Sequence, residues 1–100
     1  MAIRTFDIKL VGQSQLHVPT VKLAGMGVNL WSNDGGVTWE NSKVSADVDT
    51  KILIYMSCEA ISGTDWEFTV TMGGRQIYNK KGETGELNPN VSVIHDIINI

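Results

Sequence analysis

The sequence predicts an all-β protein, an antiparallel β-sandwich of immunoglobulin-like or jelly-roll-like type with about seven to nine short strands. Apolar side chains recur at every second position in one segment after another, which is typical of strands with one buried face. Clusters of Gly, Asn, Asp and Ser separate these segments, and no segment clearly favours a helix. The 100 residues suffice for one modest core, so we expect a single sandwich domain over residues 1–100.

The first strand is predicted at residues 5–10, whose apolar side chains all fall on one face. The next apolar segment, residues 16–23, contains Pro19. Because proline has no backbone N–H, we expect an edge strand or a bend there. Gly25-Met26-Gly27 predicts a bulge or turn, since no helix opened by a third glycine follows as a nucleotide loop would require.

Two alternating runs, residues 28–31 and 37–40, flank the turn residues Asn33-Asp34-Gly35-Gly36 and predict a β-hairpin. Trp31 falls on the side opposite to the apolar residues of its run. It is therefore either exposed on an open face or packed against the second sheet, and the sequence leaves both alternatives open.

The same stretch matches a known motif. The spacing Ser-x-Asp-x-Gly-x-Thr-Trp, carried by Ser32, Asp34, Gly36, Thr38 and Trp39, resembles the Asp-box (BNR-type) hairpin of sialidase-type β-propellers and of several unrelated β-proteins. The resemblance covers residues 32–39 only. It implies a structural turn, held by the aspartate, with the tryptophan packed beneath it. It does not imply a sialidase, and the absence of an internal repeat argues against a propeller.

The second half of the chain also reads as strands. Residues 41–43 are predicted to form a polar link, and residues 44–48 a strand with a charged outer face. Residues 51–60 are apolar on both faces, which predicts a central strand covered above and below. A helix is the competing interpretation of this run, but its β-branched and aromatic residues favour a strand.

The clearest predicted hairpin joins residues 66–72 to residues 75–80 through Gly73-Gly74, a two-residue turn. A regular register predicts four pairs: Met72 opposite Arg75, Val70 opposite Ile77, Thr69 opposite Tyr78 and Glu67 opposite Lys80. Residues 82–86 are expected to lie in a loop, and a last strand, apolar on both faces, follows at residues 91–100.

Catalytic and metal-binding patterns are weak. His95 and Asp96 are neighbours on a predicted strand and so point to opposite faces, and Cys58, the single cysteine, is expected to be a buried, inert residue. We therefore expect a protein that is not an enzyme and has no cofactor. The alternative placed last is a small enzyme, which would need a cleft that unites His95 or His17 with Cys58 or a carboxylate. A calcium ion held by carboxylates such as Asp47 and Asp49 is conceivable chemically, but no calcium-binding motif supports it.

Composition narrows the classes of partner. A net charge of −3 argues against a nucleic-acid or anionic-membrane surface, which needs clustered Lys and Arg. No apolar run is long enough to span a membrane. No signal peptide is visible either, which predicts a protein that is cytoplasmic or exported by a non-classical route.

The remaining candidates are surface residues that could contact a glycan or protein ligand. They are Trp31, Asn29, Asn33, Arg75, Tyr78 and Glu83. An exposed indole among amide and hydroxyl groups is the combination that stacks on sugar rings and hydrogen-bonds their hydroxyls. The sequence therefore favours a non-catalytic, lectin-like carbohydrate-binding module. The alternative is a structural, assembly or protein-interaction subunit that forms a homo-oligomer through sheet edges, either near Pro19 or at the C-terminal strand.

Overall fold

The structure, a computed structural model, describes residues 3–85 and 91–100. It confirms the predicted all-β fold, because this part of the chain forms eight strands and no helix. The strands are β1 (Ile3–Gly12), β2 (His17–Leu23), β3 (Met26–Val28), β4 (Thr38–Asp47), β5 (Lys51–Glu59), β6 (Asp65–Met72), β7 (Arg75–Glu83) and β8 (Val91–Asn99).

The strands form two four-stranded antiparallel sheets packed face to face as a β-sandwich. Sheet A has the strand order β4-β1-β6-β7, and sheet B has the order β3-β2-β5-β8. Alternate residues of each strand point into the space between the sheets. On β1, for example, Phe6, Ile8 and Leu10 are buried while the residues between them are exposed. Burying side chains of this size contributes about 1.5–3 kcal/mol each, so the alternation predicted from the sequence supplies the core.

The prediction that the two runs around the Asn-Asp-Gly-Gly turn pair with each other as a β-hairpin is wrong. β3 pairs with β2 in sheet B, whereas β4 pairs with β1 in sheet A, so the chain passes from one sheet to the other at this turn. A single bridge between Trp31 and Glu40 is what remains of the predicted pairing. Residues 41–43 are not a link either, because β4 continues through them with a bulge opposite β1.

The structure has a bend at Pro19, as predicted from the missing N–H of proline. The pairing of β2 with β5 shifts between His17 and Thr20, and Val18 has a φ of 48°. A β-branched residue rarely adopts positive φ, so the backbone is strained beside the proline. The turn predicted at Gly25-Met26-Gly27 lies one residue earlier, at Ala24-Gly25, because Met26 and Gly27 belong to β3. Ala24 and Gly25 have φ values of 52° and 82° and thus have the backbone of a primed hairpin turn.

The prediction that residues 51–60 are covered on both faces is wrong. Ile52, Ile54 and Met56 are buried against sheet A, but Leu53 is 36% exposed and Tyr55 is half-buried. β5 is central within its sheet, yet no described element lies over the outer side of sheet B. The last strand is likewise apolar on both faces but buried on only one.

The β6–β7 hairpin forms, but most of its predicted register is wrong. Met72 lies opposite Arg75 as expected, and a bulge between Val70 and Thr71 then shifts the later pairs by one residue. The observed pairs are Val70 with Tyr78, Thr69 with Asn79, Phe68 with Lys80 and Glu67 with Lys81. The strand also runs on to Glu83, where a loop is predicted; Glu86, at the end of that predicted loop, lies outside the described residues.

Candidate ligand-binding surface

The turn that joins the two sheets is held by its own side chains. The Asp34 carboxylate accepts hydrogen bonds from the Thr38 backbone N–H at 2.8 Å and from the Ser32 hydroxyl at 2.9 Å. The Ser32 hydroxyl oxygen in turn accepts the N–H of Gly36 at 2.8 Å. The Thr38 N–H and the hydroxyl groups around it hold the pKa of Asp34 below its ordinary value, because hydrogen bonds to the charged form favour ionisation.

The turn is also fastened to the connection between β1 and β2. The Gly36 carbonyl accepts the N–H of Leu16 at 2.8 Å and the indole Nε1–H of Trp39 at 2.9 Å. Gly36 has a φ of 96°, and a Cβ there would lie 3.0 Å from the side chain of Gln15, so this position requires glycine. Trp39 is half-buried against the core beneath the turn.

Trp31 stands at the start of this rigid segment and faces solvent. Its N–H donates to the Glu40 carbonyl at 3.1 Å, and its carbonyl accepts the Glu40 N–H at 2.9 Å. The indole nevertheless remains 60% exposed, whereas Val28 and Leu30 pack against the core. Of the two alternatives that the sequence leaves open for Trp31, the structure shows the exposed one.

A shallow depression of about 420 Å³ lies beside the indole. It is lined by Trp31, Asn33, Glu40, Asn41, Ser42 and Lys43. The Asn41 side chain serves the fold, because its amide donates to the Asn29 carbonyl at 2.9 Å and its oxygen accepts the Lys43 N–H at 2.9 Å. The carboxylate, hydroxyl and ammonium groups of the other β4 residues remain exposed around the depression.

The depression continues onto the outer face of sheet A. A second one, of about 310 Å³, shares Glu40, Asn41 and Ser42 with the first. The strand register places Glu40 beside Lys9, Lys9 beside Thr69 and Thr69 beside Asn79. The Asn79 amide donates to Thr69 Oγ1 at 3.1 Å and to Glu67 Oε2 at 2.8 Å. The exposed indole therefore borders a polar, hydrogen-bonded sheet face.

The structure brings only some of the predicted candidates together. Asn33 lines the depression with Trp31, and Asn29 contributes its carbonyl to the bond that positions Asn41. Arg75, Tyr78 and Glu83 lie on β7, at the opposite edge of sheet A from β4.

Tyr78 joins the two sheets instead of facing outward. Its hydroxyl donates to Asp96 Oδ2 at 2.5 Å, and its ring meets Phe68 edge to face. Burial and the Asp96 carboxylate raise the pKa of the Tyr78 phenol, since both disfavour the phenolate.

Sequence reasoning missed the contribution of residues 40–43 to this surface. Residues 41–43 look like a polar link in the sequence because the alternation of the run before them stops there. That interruption is the bulge in β4 opposite Phe6 and Ile8, and it turns several consecutive polar side chains towards the indole. The available signal was the unbroken polar run Glu40-Asn41-Ser42-Lys43 directly after Trp39.

A larger depression, of about 580 Å³, lies where β1 ends and β6 begins, beside Val11, Asp65, Glu67 and Lys81. Its aromatic residue is Trp66, which is 6% exposed. The Trp66 Nε1–H is also committed to the Ser92 hydroxyl at 2.8 Å. This depression therefore offers no free aromatic surface for a ligand.

The residues considered as catalytic or metal-binding groups are not brought together in one site. Cys58 is buried, and burial raises the pKa of its thiol to about 11, so the reactive thiolate is disfavoured. His95 points outward, where its ring meets Tyr55 edge to face, while Asp96 points inward to Tyr78. Within residues 3–85 and 91–100, no group of three or more His, Cys, Asp or Glu residues is placed to hold a metal ion.

Among the same residues there is no helix with the length and apolar character needed to cross a membrane. Comparison with known proteins gives no match to this chain: no family model, no curated protein and no solved structure is significantly similar to it.

Proposed function

We propose that this protein is a non-catalytic carbohydrate-binding module in which Trp31 stacks on a sugar ring. The observation that carries the proposal is the exposure of Trp31. Its side chain is 60% exposed, although its backbone N–H and C=O are both hydrogen-bonded to Glu40. Tryptophan is highly buried on average, and it is enriched where proteins bind partners. Because the backbone at Trp31 is already fixed, a ligand that stacks on the indole does not have to order that backbone, which lowers the entropy cost of binding.

The groups around the indole suit a polyhydroxylated ligand. Glu40 supplies acceptors, Lys43 supplies donors, and Ser42 and Asn33 supply groups that can do both. A sugar has an apolar ring face bordered by hydroxyls, so it can stack on the indole and hydrogen-bond to these side chains at once.

The polar face of sheet A supports binding of more than one sugar unit. The row from Glu40 through Lys9 and Thr69 to Asn79 crosses the whole sheet, and adjacent strands are about 4.8 Å apart. A chain of two or three sugar units that begins on Trp31 would lie along this row. We therefore expect oligosaccharides to bind more tightly than the monosaccharide.

The experiment is a glycan-array screen followed by titration of each hit with intrinsic tryptophan fluorescence and calorimetry. Trp31→Ala should abolish binding, whereas Trp31→Tyr should keep part of it because a phenol can also stack. The matched control is Ile61→Ala, which changes a side chain that is 76% exposed in the turn after β5. A flat response across a broad array, or equal affinity of Trp31→Ala and the parent, would contradict the proposal.

A further inference from the structure

Along its whole length, the outer edge of β8 has hydrogen-bonding groups that no strand among residues 3–85 and 91–100 pairs with. β8 ends the strand order of sheet B, and its nine residues pair with β5 without a register shift. Just beyond this ladder, the Ile100 N–H donates to the Thr50 carbonyl. In an antiparallel pair the bonded positions alternate, so the even-numbered residues of β8 bond to β5 and the odd-numbered residues direct N–H and C=O outward. No described strand pairs with those outward groups.

The other three sheet edges have features that discourage pairing with another chain. β3 is three residues long. β4 has a bulge and exposed charges at Glu40 and Lys43, and β7 has a bulge and exposed charges at Lys80 and Lys81. Short edges, bulges and lysines are the usual protection against strand addition. β8 has none of these, and its one charged residue, Asp96, accepts a hydrogen bond from Tyr78 on the inner side.

The side chains along this edge are apolar and exposed. Val93 is 59% exposed and Ile97 is 68% exposed, and Leu53 lies beside Ile97 on the neighbouring strand. A regular, unprotected edge with exposed apolar side chains is the type of surface that a further strand covers.

We propose that two copies of this chain associate through antiparallel pairing of their β8 strands, with His95 on the two-fold axis. This register aligns the full length of both strands and uses the outward N–H and C=O groups of every odd-numbered residue. It also places Val93 of each copy opposite Ile97 of the other, so the exposed apolar side chains cover each other. The result is one continuous eight-stranded sheet made from two copies of sheet B.

Charges near the ends of the strand favour the same arrangement. Glu59 lies beside Val91, and Lys51 lies beside Asn99 at the other end. The two-fold register places Val91 of one copy opposite Asn99 of the other. Each end of the interface therefore combines an acidic side chain from one copy with a basic side chain from its partner. A parallel arrangement would bring like charges to the same end, which is unfavourable.

The dimer would leave the proposed glycan surfaces free. Trp31 lies at the β4 edge of sheet A, whereas β8 is next to β7 on the other side of the sandwich. Each dimer would then present two indoles, and two linked sites can raise avidity by about 100-fold or more on a multivalent glycan. The dimer itself does not depend on glycan binding, so each proposal can fail without the other.

Oligomeric state over a range of protein concentrations is the first test. The parent chain should change from monomer to twice the monomer mass in analytical ultracentrifugation. Ile97→Lys should remain a monomer because it puts a charge on the edge, and Val93→Pro should do so because it removes an outward N–H. Proline at this position breaks no bond to β5, so both variants should keep the parent's circular dichroism spectrum. The control Ile61→Lys alters an equally exposed isoleucine away from the edge and should dimerise normally.

Cross-linking tests the register. Residues that face each other as a hydrogen-bonded antiparallel pair have Cα atoms about 5.5 Å apart, which is within disulfide range. His95→Cys should therefore give a covalent dimer on oxidation, whereas Ile97→Cys, which faces Val93, should not. A parent chain that stays monomeric at all concentrations overturns the proposal. Dimers that persist in both Ile97→Lys and Val93→Pro, or equal cross-linking of the two cysteine variants, overturn it as well.

Discussion

The backbones of Trp31 and Glu40 exchange two hydrogen bonds, of 3.1 and 2.9 Å, where the chain passes from sheet B to sheet A. This bridge attaches an exposed indole to the end of β4 instead of leaving it on a free loop. The side-chain bonds of Asp34 and Ser32 then hold the turn from Ser32 to Thr38. A binding surface that is ordered before the ligand arrives loses less entropy on binding.

The turn should make the stability of the protein sensitive to acid. The pKa of Asp34 is lowered in the folded chain, mainly by the Thr38 N–H, while an unfolded aspartate titrates near about 3.9. The ionised carboxylate therefore stabilises the fold above that unfolded-state value, and this contribution disappears as the pH falls through the lower folded-state value.

Urea unfolding midpoints of the parent and Asp34→Asn, measured from neutral pH into acid, test this expectation. The parent should be more stable at neutral pH, and the difference should shrink below about pH 4. Asp7→Asn, which changes an exposed aspartate on β1, is the control for a general loss of negative charge. A difference between the parent and Asp34→Asn that stays constant across this pH range would contradict the role assigned to Asp34.

Gly82 should be difficult to replace because the Trp66 ring occupies the space where a side chain would go. A Cβ at Gly82 would lie 2.4 Å from Trp66 Cζ2. Gly82→Ala is therefore expected to destabilise the fold by about 1–3 kcal/mol, as overpacking in a core does. Gly85→Ala is the matched control, since a Cβ there has no atom within 4 Å. Equal unfolding midpoints for the two variants would show that the ring can move aside.

Ser92 should stabilise the junction between the sheets. Its hydroxyl accepts the Trp66 indole N–H at 2.8 Å and donates to the Glu83 carbonyl at 3.2 Å. Ser92→Ala leaves a buried N–H without a partner, for which we expect a loss of about 1–3 kcal/mol in the free energy of unfolding. Ser45→Ala, at an exposed position on β4, should change little. The near-ultraviolet circular dichroism of Trp66 should change only in the first variant.

Tyr78 should resist ionisation in alkali as long as the protein is folded. Burial and Asp96 raise its pKa, whereas an unfolded tyrosine titrates near about 10. The unfolded chain therefore loses this proton first, and stability falls as the pH rises above about 10.

The chain has two tyrosines, so Tyr55→Phe isolates Tyr78 in an ultraviolet absorbance titration. The signal of Tyr78 should appear well above about pH 10 in the folded protein and near about pH 10 in urea. In Tyr78→Phe the alkaline loss of stability should be smaller than in the parent. Identical titrations with and without urea would contradict the buried contact with Asp96.

Strand positions followed from the sequence because alternation is a local property. The side chains of Phe6, Ile8 and Leu10 share one face of their strand whatever its register. In the same way, Trp31 must lie on the face opposite to that of Leu30. What could not be predicted is non-local. The bulge opposite Val70 moves Tyr78 from the outer face to the interior, and no turn signal marks it.

The same limit applies to the candidate surface. The residue types at Asp34 and Gly36 are enough to predict the turn. The strand that each flanking segment pairs with, however, depends on contacts with distant residues. β4 pairs with β1, which lies far earlier in the chain, as Ile3 opposite Asp47 and Leu10 opposite Trp39 show. The polar residues around the indole therefore come together only once sheet A has formed.

The central position of β1 in sheet A has a consequence for how the chain folds. β1 precedes the other described strands, yet its neighbours are β4 and β6, so both edges of β1 are paired at Phe6 only when Val44 and Met72 are present. Closing such long loops before any contact forms is entropically slow, and proteins with mainly non-local strand pairing fold in about milliseconds to seconds. On a ribosome, β1 can therefore gain its second neighbour only after β6 has left the exit tunnel, and truncation before residue 65 should leave β1 without that partner.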